Sequence, residues 1–130
     1  MSFTDFWENE ILDHILNDGA YTAPTIYIGL STTTPADDGT NITEPVGGAY
    51  ARITTAATDW DPAAAGSKGN ATVLSFPTAT ASWGTITHFV LLDAVSAGNA
   101  LAFGALTTAK AVGDGDTASF AAGALAITLD

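Results

Sequence analysis

Cysteine is absent from the 130 residues, which excludes disulfides, thiolate metal ligands and a thiol nucleophile. Its absence alone does not fix the compartment. Cations are almost missing as well: Arg52, Lys68 and Lys110 stand against fourteen acidic residues, giving a net charge of −11. A phosphate backbone is bound through clusters of Lys and Arg, and three scattered cations form no cluster. Neither nucleic acid nor an anionic membrane is therefore expected as a partner. No run of about 18 apolar residues is present, so no membrane span is expected. The opening MSFTDFWENE lacks the basic n-region and continuous apolar stretch of a secretory signal peptide. The expectation is a protein made in a cytoplasm, which would reach the outside only by a route such as cell lysis.

What is present is a pairing of 47% hydrophobic with only 13% charged residues, where about 25% charged is typical of soluble domains. Much of the apolar share is alanine, and the polar remainder is mainly Thr, Ser, Gly and Asn. Such a surface is cheap to desolvate, so packing against further copies or a neighbouring protein costs little. The same composition also suits a free-standing secreted or halotolerant β domain.

The length fits one domain over residues 1–130, with a helix in 1–18 and a β-sandwich in 24–130. Phe3, Trp7, Ile11 and Ile15 recur at i+4, with Phe6, Leu12 and Leu16 beside them, which is a helical stripe. Ser2 is suited to be its N-cap and Asn17-Asp18-Gly19 its stop. Beyond it the pattern changes to period two and to short apolar runs broken by Gly, Pro, Asn and Asp. Strands are expected at 25–31, 50–55, 71–76, 86–93, 100–106, 117–120 and 125–129. Residues 96–99 make the tight turn of the clearest hairpin. Residues 58–69 are turn-rich, and the loops at 32–48 and 59–68 read as free to contact a neighbour. The fold class is mainly β, an antiparallel sandwich of about seven or eight strands, jelly-roll or Ig-like, with one N-terminal α-helix.

Nucleophilic catalysis needs a nucleophile held by an oriented base. The only imidazoles are His14, beside the helical stripe, and His88, inside an apolar strand, and both are expected to be buried or half-buried structural residues. Asp93 ends an apolar strand and is expected to cap the following turn. No catalytic or cofactor-binding residue is assigned. Asp37, Asp38, Asp114 and Asp116 are oxygen ligands in close pairs, which suits Ca²⁺ better than Zn²⁺. Asp and Gly in turns need no metal to explain them, and no metal is assigned. Trp60 and Trp83 lie in or beside polar, turn-rich segments. There they can anchor an interface or plug the ends of the sandwich. Phe3 and Trp7 of the helix are the other interface candidates.

Several segments together carry a resemblance: Glu8-Asn9 with Leu12-Asp13-His14, Tyr27-Ile28-Gly29-Leu30-Ser31-Thr32, and Gly47-Gly48-Ala49-Tyr50-Ala51-Arg52. Leu74-Ser75-Phe76-Pro77, Ser82-Trp83-Gly84-Thr85-Ile86-Thr87-His88-Phe89 and Ile127-Thr128-Leu129-Asp130 complete it. Over essentially its whole length the chain resembles a family of small tailed-bacteriophage and prophage proteins, known as tail-fibre or minor structural proteins. The resemblance implies a non-enzymatic structural protein of the virion, without a cofactor. Its partners would be copies of itself, other virion proteins and, in a tail tip, a host surface receptor. Three readings stay open: a fibre or tail-tip component, a capsid decoration protein on the head exterior, and a carbohydrate- or Ca²⁺-dependent binding module.

Overall fold

A computed structural model describes residues 1–16 and 19–129. Its framework is the hairpin of β6 (Gly84–Leu92) and β7 (Ala100–Val112), preceded in the chain by β1 (Ser2–Phe3), α1 (Asp5–Ile15), β2 (Tyr27–Ser31), β3 (Ile53–Thr54), β4 (Ser67–Gly69) and β5 (Leu74–Ser75), and followed by β8 (Ser119–Phe120) and β9 (Ala126–Thr128). Five strands form one antiparallel sheet in the order β1-β7-β6-β2-β3. The other four form two-stranded ribbons, β4 with β9 and β5 with β8. The fold is mainly β and sandwich-like.

The main core gathers Ile28 and Leu30 of β2, Ile86, Phe89 and Leu91 of β6, and Leu101 of β7 against Leu74, Phe76 and Leu125 of the ribbon side. Val90, Leu92 and Ala100 form a second, smaller cluster covered by Tyr27, Ile42 and Phe103. Alternation along β6 explains this division except at Ile86, whose parity differs from that of Phe89 and Leu91. An irregularity in the ladder resolves it. Between the pairs Ile86–Lys110 and His88–Ala105, β6 supplies one residue, Thr87, and β7 supplies four, Leu106 to Ala109. A bulge of this kind resets which face a strand presents.

The helix starts at Thr4 and not at Ser2. Ser2 and Phe3 pair with Phe103 and Ala102, so the residues that looked like a helix cap are drawn into the sheet edge. Thr4 is fully buried. Its hydroxyl donates to the Ala100 carbonyl at 2.6 Å, with the Leu101 carbonyl at 3.0 Å, and accepts from the Trp7 N–H at 3.5 Å. One side chain thus caps the helix and ties it to β7. Thr4→Val keeps the shape and removes both roles. It is expected to cost about 1–2 kcal/mol and to raise hydrogen exchange at the Trp7 and Glu8 amides. Unchanged exchange there would contradict this anchoring. Of the expected helix stop, Asn17 and Asp18 lie outside the described residues.

Several expected strands are shorter than the sequence suggested: 50–55 shrinks to Ile53–Thr54 and 71–76 to Leu74–Ser75. β7, by contrast, runs on to Val112, because β6 offers Gly84, Thr85 and Ile86 as partners for Val112, Ala111 and Lys110.

Candidate assembly surface

The four aromatic candidates divide. Trp83 is only 4% exposed. Its ring meets Tyr50 edge-on at 5.2 Å and Phe76 at 6.3 Å, and its indole N–H donates to the Gly48 carbonyl at 2.8 Å. Gly48 has φ +57°, and a Cβ there would lie 3.0 Å from the indole nitrogen. Glycine at 48 thus lets the loop backbone approach the nitrogen edge of the ring closely. Trp83 plugs the core and offers no face to a neighbour, which corrects its place among the interface candidates.

Trp60 and Trp7 come together. Both are half-buried, and with Tyr21, Pro24 and Ile26 they line an apolar cleft of about 240 Å³. Phe3 stands 4.6 Å from Trp7, ring to ring. Trp60 donates to the Thr55 hydroxyl at 3.1 Å. The Trp7 indole nitrogen and the Tyr21 hydroxyl are buried without a well-formed hydrogen bond among the described residues, and burial raises the Tyr21 pKa. The cleft's lining is mainly apolar, with Lys68 its one charged residue.

The loop over 32–48 is not free, as its polar composition had suggested. Thr32 N–H donates to the Thr43 carbonyl at 3.0 Å, and the Thr33 hydroxyl donates to the Asn41 carbonyl at 2.6 Å. At its tip the Asp37 carbonyl accepts the Asp5 N–H at 2.8 Å. Glu44 locks its far end. Arg52 reaches the Glu44 carboxylate at 2.6 Å and donates to the Ala97 carbonyl at 2.9 Å. The Tyr50 hydroxyl donates to Glu44 at 2.7 Å and accepts the Leu30 N–H at 2.9 Å. One ion pair therefore clamps the loop, the β2 edge and the β6–β7 turn. Residues 61–66, in the second loop, are exposed throughout.

The remaining polar candidates hold turns. Asp38 accepts the Thr40 hydroxyl at 2.6 Å and the Thr40 N–H at 2.9 Å, and these bonds lower its pKa. Asp37 accepts the Ser2 hydroxyl at 3.2 Å. Asp116 accepts the Gly113 N–H at 2.8 Å, in the turn that also carries Asp114. No group of three or more His, Asp or Glu side chains gathers among the described residues. Asp93 accepts the Asn99 N–H at 2.7 Å and the Asn99 side-chain amide at 2.8 Å, closing the turn over Gly98, which has φ +75°. His88 is half-buried, bonds Thr87 at 2.8 Å and has its pKa lowered by burial. His14 is exposed, against expectation: its side of the helix faces out, and its Nδ1 accepts the Tyr21 N–H at 3.3 Å.

The residues missed by sequence reading are Leu12, Ile15 and Leu16. They belong to the helical stripe read from the sequence, yet these three are 53%, 64% and 74% exposed. Periodicity reveals an apolar face without telling how far its cover extends. The acids interleaved with it, Asp5, Glu8 and Asp13, were the available signal.

The architecture is thus that of a small antiparallel β protein whose distinctive features lie on its exterior. A model of the family described as Podophage GP4 fiber I protein gp80 matches residues 2–128, and the chain belongs to that family. The resemblance carried by the sequence motifs agrees with it. No curated protein matches the chain. No helix among the described residues is long and apolar enough to cross a membrane.

Proposed function

We propose that the protein is a non-enzymatic building block of a podophage fibre, acting through contacts with its own copies and with other virion proteins, the whole of residues 1–130 serving as one domain. The observation that carries this reading is the fibre-family match over residues 2–128. It favours the tail over a cement role on the capsid. The surface supports it: the C-terminal half of β7 exposes Ala105, Thr107, Thr108, Ala109 and Ala111 around a single charge, Lys110. Small uncharged side chains let a second copy approach closely at little desolvation cost. The exposed segment 61–66 is the part left free for a host receptor.

Two measurements test this. Sedimentation of the purified chain across a concentration series is expected to give a defined multiple of 13.2 kDa. Averaged images of particles carrying a labelled copy are expected to place the label on the fibres. A chain that stays single at high concentration and is absent from the particle would overturn the proposal.

A further inference from the structure

Scattered exposed apolar side chains are ordinary, whereas a contiguous patch marks a contact site. Nine large apolar side chains are exposed among the described residues, and six of them (Met1, Phe6, Leu12, Ile15, Leu16 and Leu129) lie on or beside α1. Four of the six, all but Phe6 and Leu16, line one open groove of about 510 Å³ between the helix, the N-terminal segment and the end of β9. Leu16 lies one turn beyond Leu12 and extends the same strip along the helix. The inner part of the stripe, Phe3 and Trp7, packs on the main core. The outer part, Leu12, Ile15 and Leu16, is more than half exposed.

Charge selects what fits. Asp5, Glu8 and Asp13 are exposed on the same helix, and Glu8 lines the groove. Glu8 precedes Leu12 by four residues, so the two side chains are surface neighbours. The helix carries no Lys or Arg. Of the three cations in the chain, Arg52 is engaged by Glu44, while Lys68 and Lys110 stand on β4 and β7. A second copy presenting this face would therefore set acids against acids, and an anionic membrane would do the same. The complementary surface is an apolar ridge flanked by Lys and Arg.

We propose that this groove receives a basic amphipathic helix from a different protein. That the partner belongs to the virion rests on the function proposed above; the chemistry of the groove does not. Contacts between copies are left to the C-terminal half of β7, where Lys110 is the single charge, so the two faces serve different neighbours.

The test uses the full chain and two synthetic amphipathic helices of about four turns, one built of leucine and lysine, the other of leucine and glutamate. Calorimetry is expected to show saturable binding of the lysine peptide, weakening as salt is raised, and no binding of the glutamate peptide. The double variant Leu12→Ser, Ile15→Ser alters only exposed side chains, so its circular dichroism and melting temperature should match the parent. It is expected to bind the lysine peptide at least about tenfold more weakly. Equal binding by parent and double variant would mean attraction to net charge alone and would overturn the proposal. So would self-association of the parent that the double variant loses, since the occupant would then be a second copy. Absence of the protein from purified particles, with peptide binding intact, would instead remove the virion role and leave the groove standing.

Discussion

Asn70→Ala is expected to destabilise the fold by about 3 kcal/mol, lowering the melting temperature by on the order of 10 °C for a chain of this size. Asn70 is fully buried and its side chain has every polar atom engaged. The amide nitrogen donates to the Thr72 carbonyl at 2.7 Å and to the Ala121 carbonyl at 2.8 Å, and the amide oxygen accepts the Leu125 N–H at 2.8 Å. Its backbone joins in, donating to the Leu125 carbonyl at 3.2 Å and accepting the Gly123 N–H at 2.7 Å. One residue thus holds the segment before β5 to the chain entering β9. Truncation strands one donor and two acceptors where Leu125, only 1% exposed, closes the site to water. Asn70→Asp separates hydrogen bonding from volume. The carboxylate still accepts from Leu125 but faces two carbonyls with no proton to give, so it is expected to be at least as damaging as alanine. Urea unfolding of the three proteins reads the result. An aspartate variant as stable as the parent would contradict the assigned bonding.

How much of this was legible in the sequence follows from where the pairing information resides. The β6–β7 hairpin was readable because a run of apolar residues meets a compact turn at Ser96-Ala97-Gly98-Asn99, and Asp93 closes that turn as expected. Local chemistry was enough there. β1 was not readable, since Ser2-Phe3 also makes a good helix start; the Thr4 hydroxyl and the free edge of β7 decide the matter. β4, with the sequence Ser-Lys-Gly, has no alternation at all, and its pairing with β9 is imposed by distant residues. The polar composition of 32–48 suggested a loose loop. Its Thr and Asn side chains instead satisfy nearby backbone groups, a competition with regular structure that composition cannot reveal. At the candidate surface the aromatic residues drew attention and the aliphatic ones did not. Trp83 has a core to enter, while Leu12, Ile15 and Leu16 stay more than half exposed.

Arg52→Ala is expected to cost about 3 kcal/mol at neutral pH, and the penalty is expected to shrink as the solution is acidified. Breaking a buried ion pair from one side leaves the other charge uncompensated, at a typical cost of about 3–5 kcal/mol. The Arg52 and Glu44 side chains are 7% and 23% exposed, which places this pair at the lower end. Two effects act on the Glu44 carboxyl. Burial raises its pKa, but the hydrogen bonds from Arg52 and Tyr50 and the charge of Arg52 outweigh burial, so the net shift is downward. A carboxylate with a lowered folded-state pKa contributes stability that is fully present above its unfolded value. That stability is lost as pH falls through the folded one. The parent should therefore weaken below about pH 4.5, the ordinary glutamate value. In Arg52→Ala the hydrogen bonds and charge of the guanidinium are gone while burial and the Tyr50 hydrogen bond remain, so the downward shift is reduced and that variant loses much of the corresponding slope. Glu44→Gln supplies the converse: it abolishes the titration while leaving Arg52 its carbonyl contacts at Ala94 and Ala97. Unfolding at neutral pH and near pH 4 should bring the parent and Arg52→Ala closer together at the acidic end, because the pair needs an ionised Glu44. A gap that stays constant with pH would show that Arg52 acts only through those turn carbonyls, and that the clamp on the loop is not ionic.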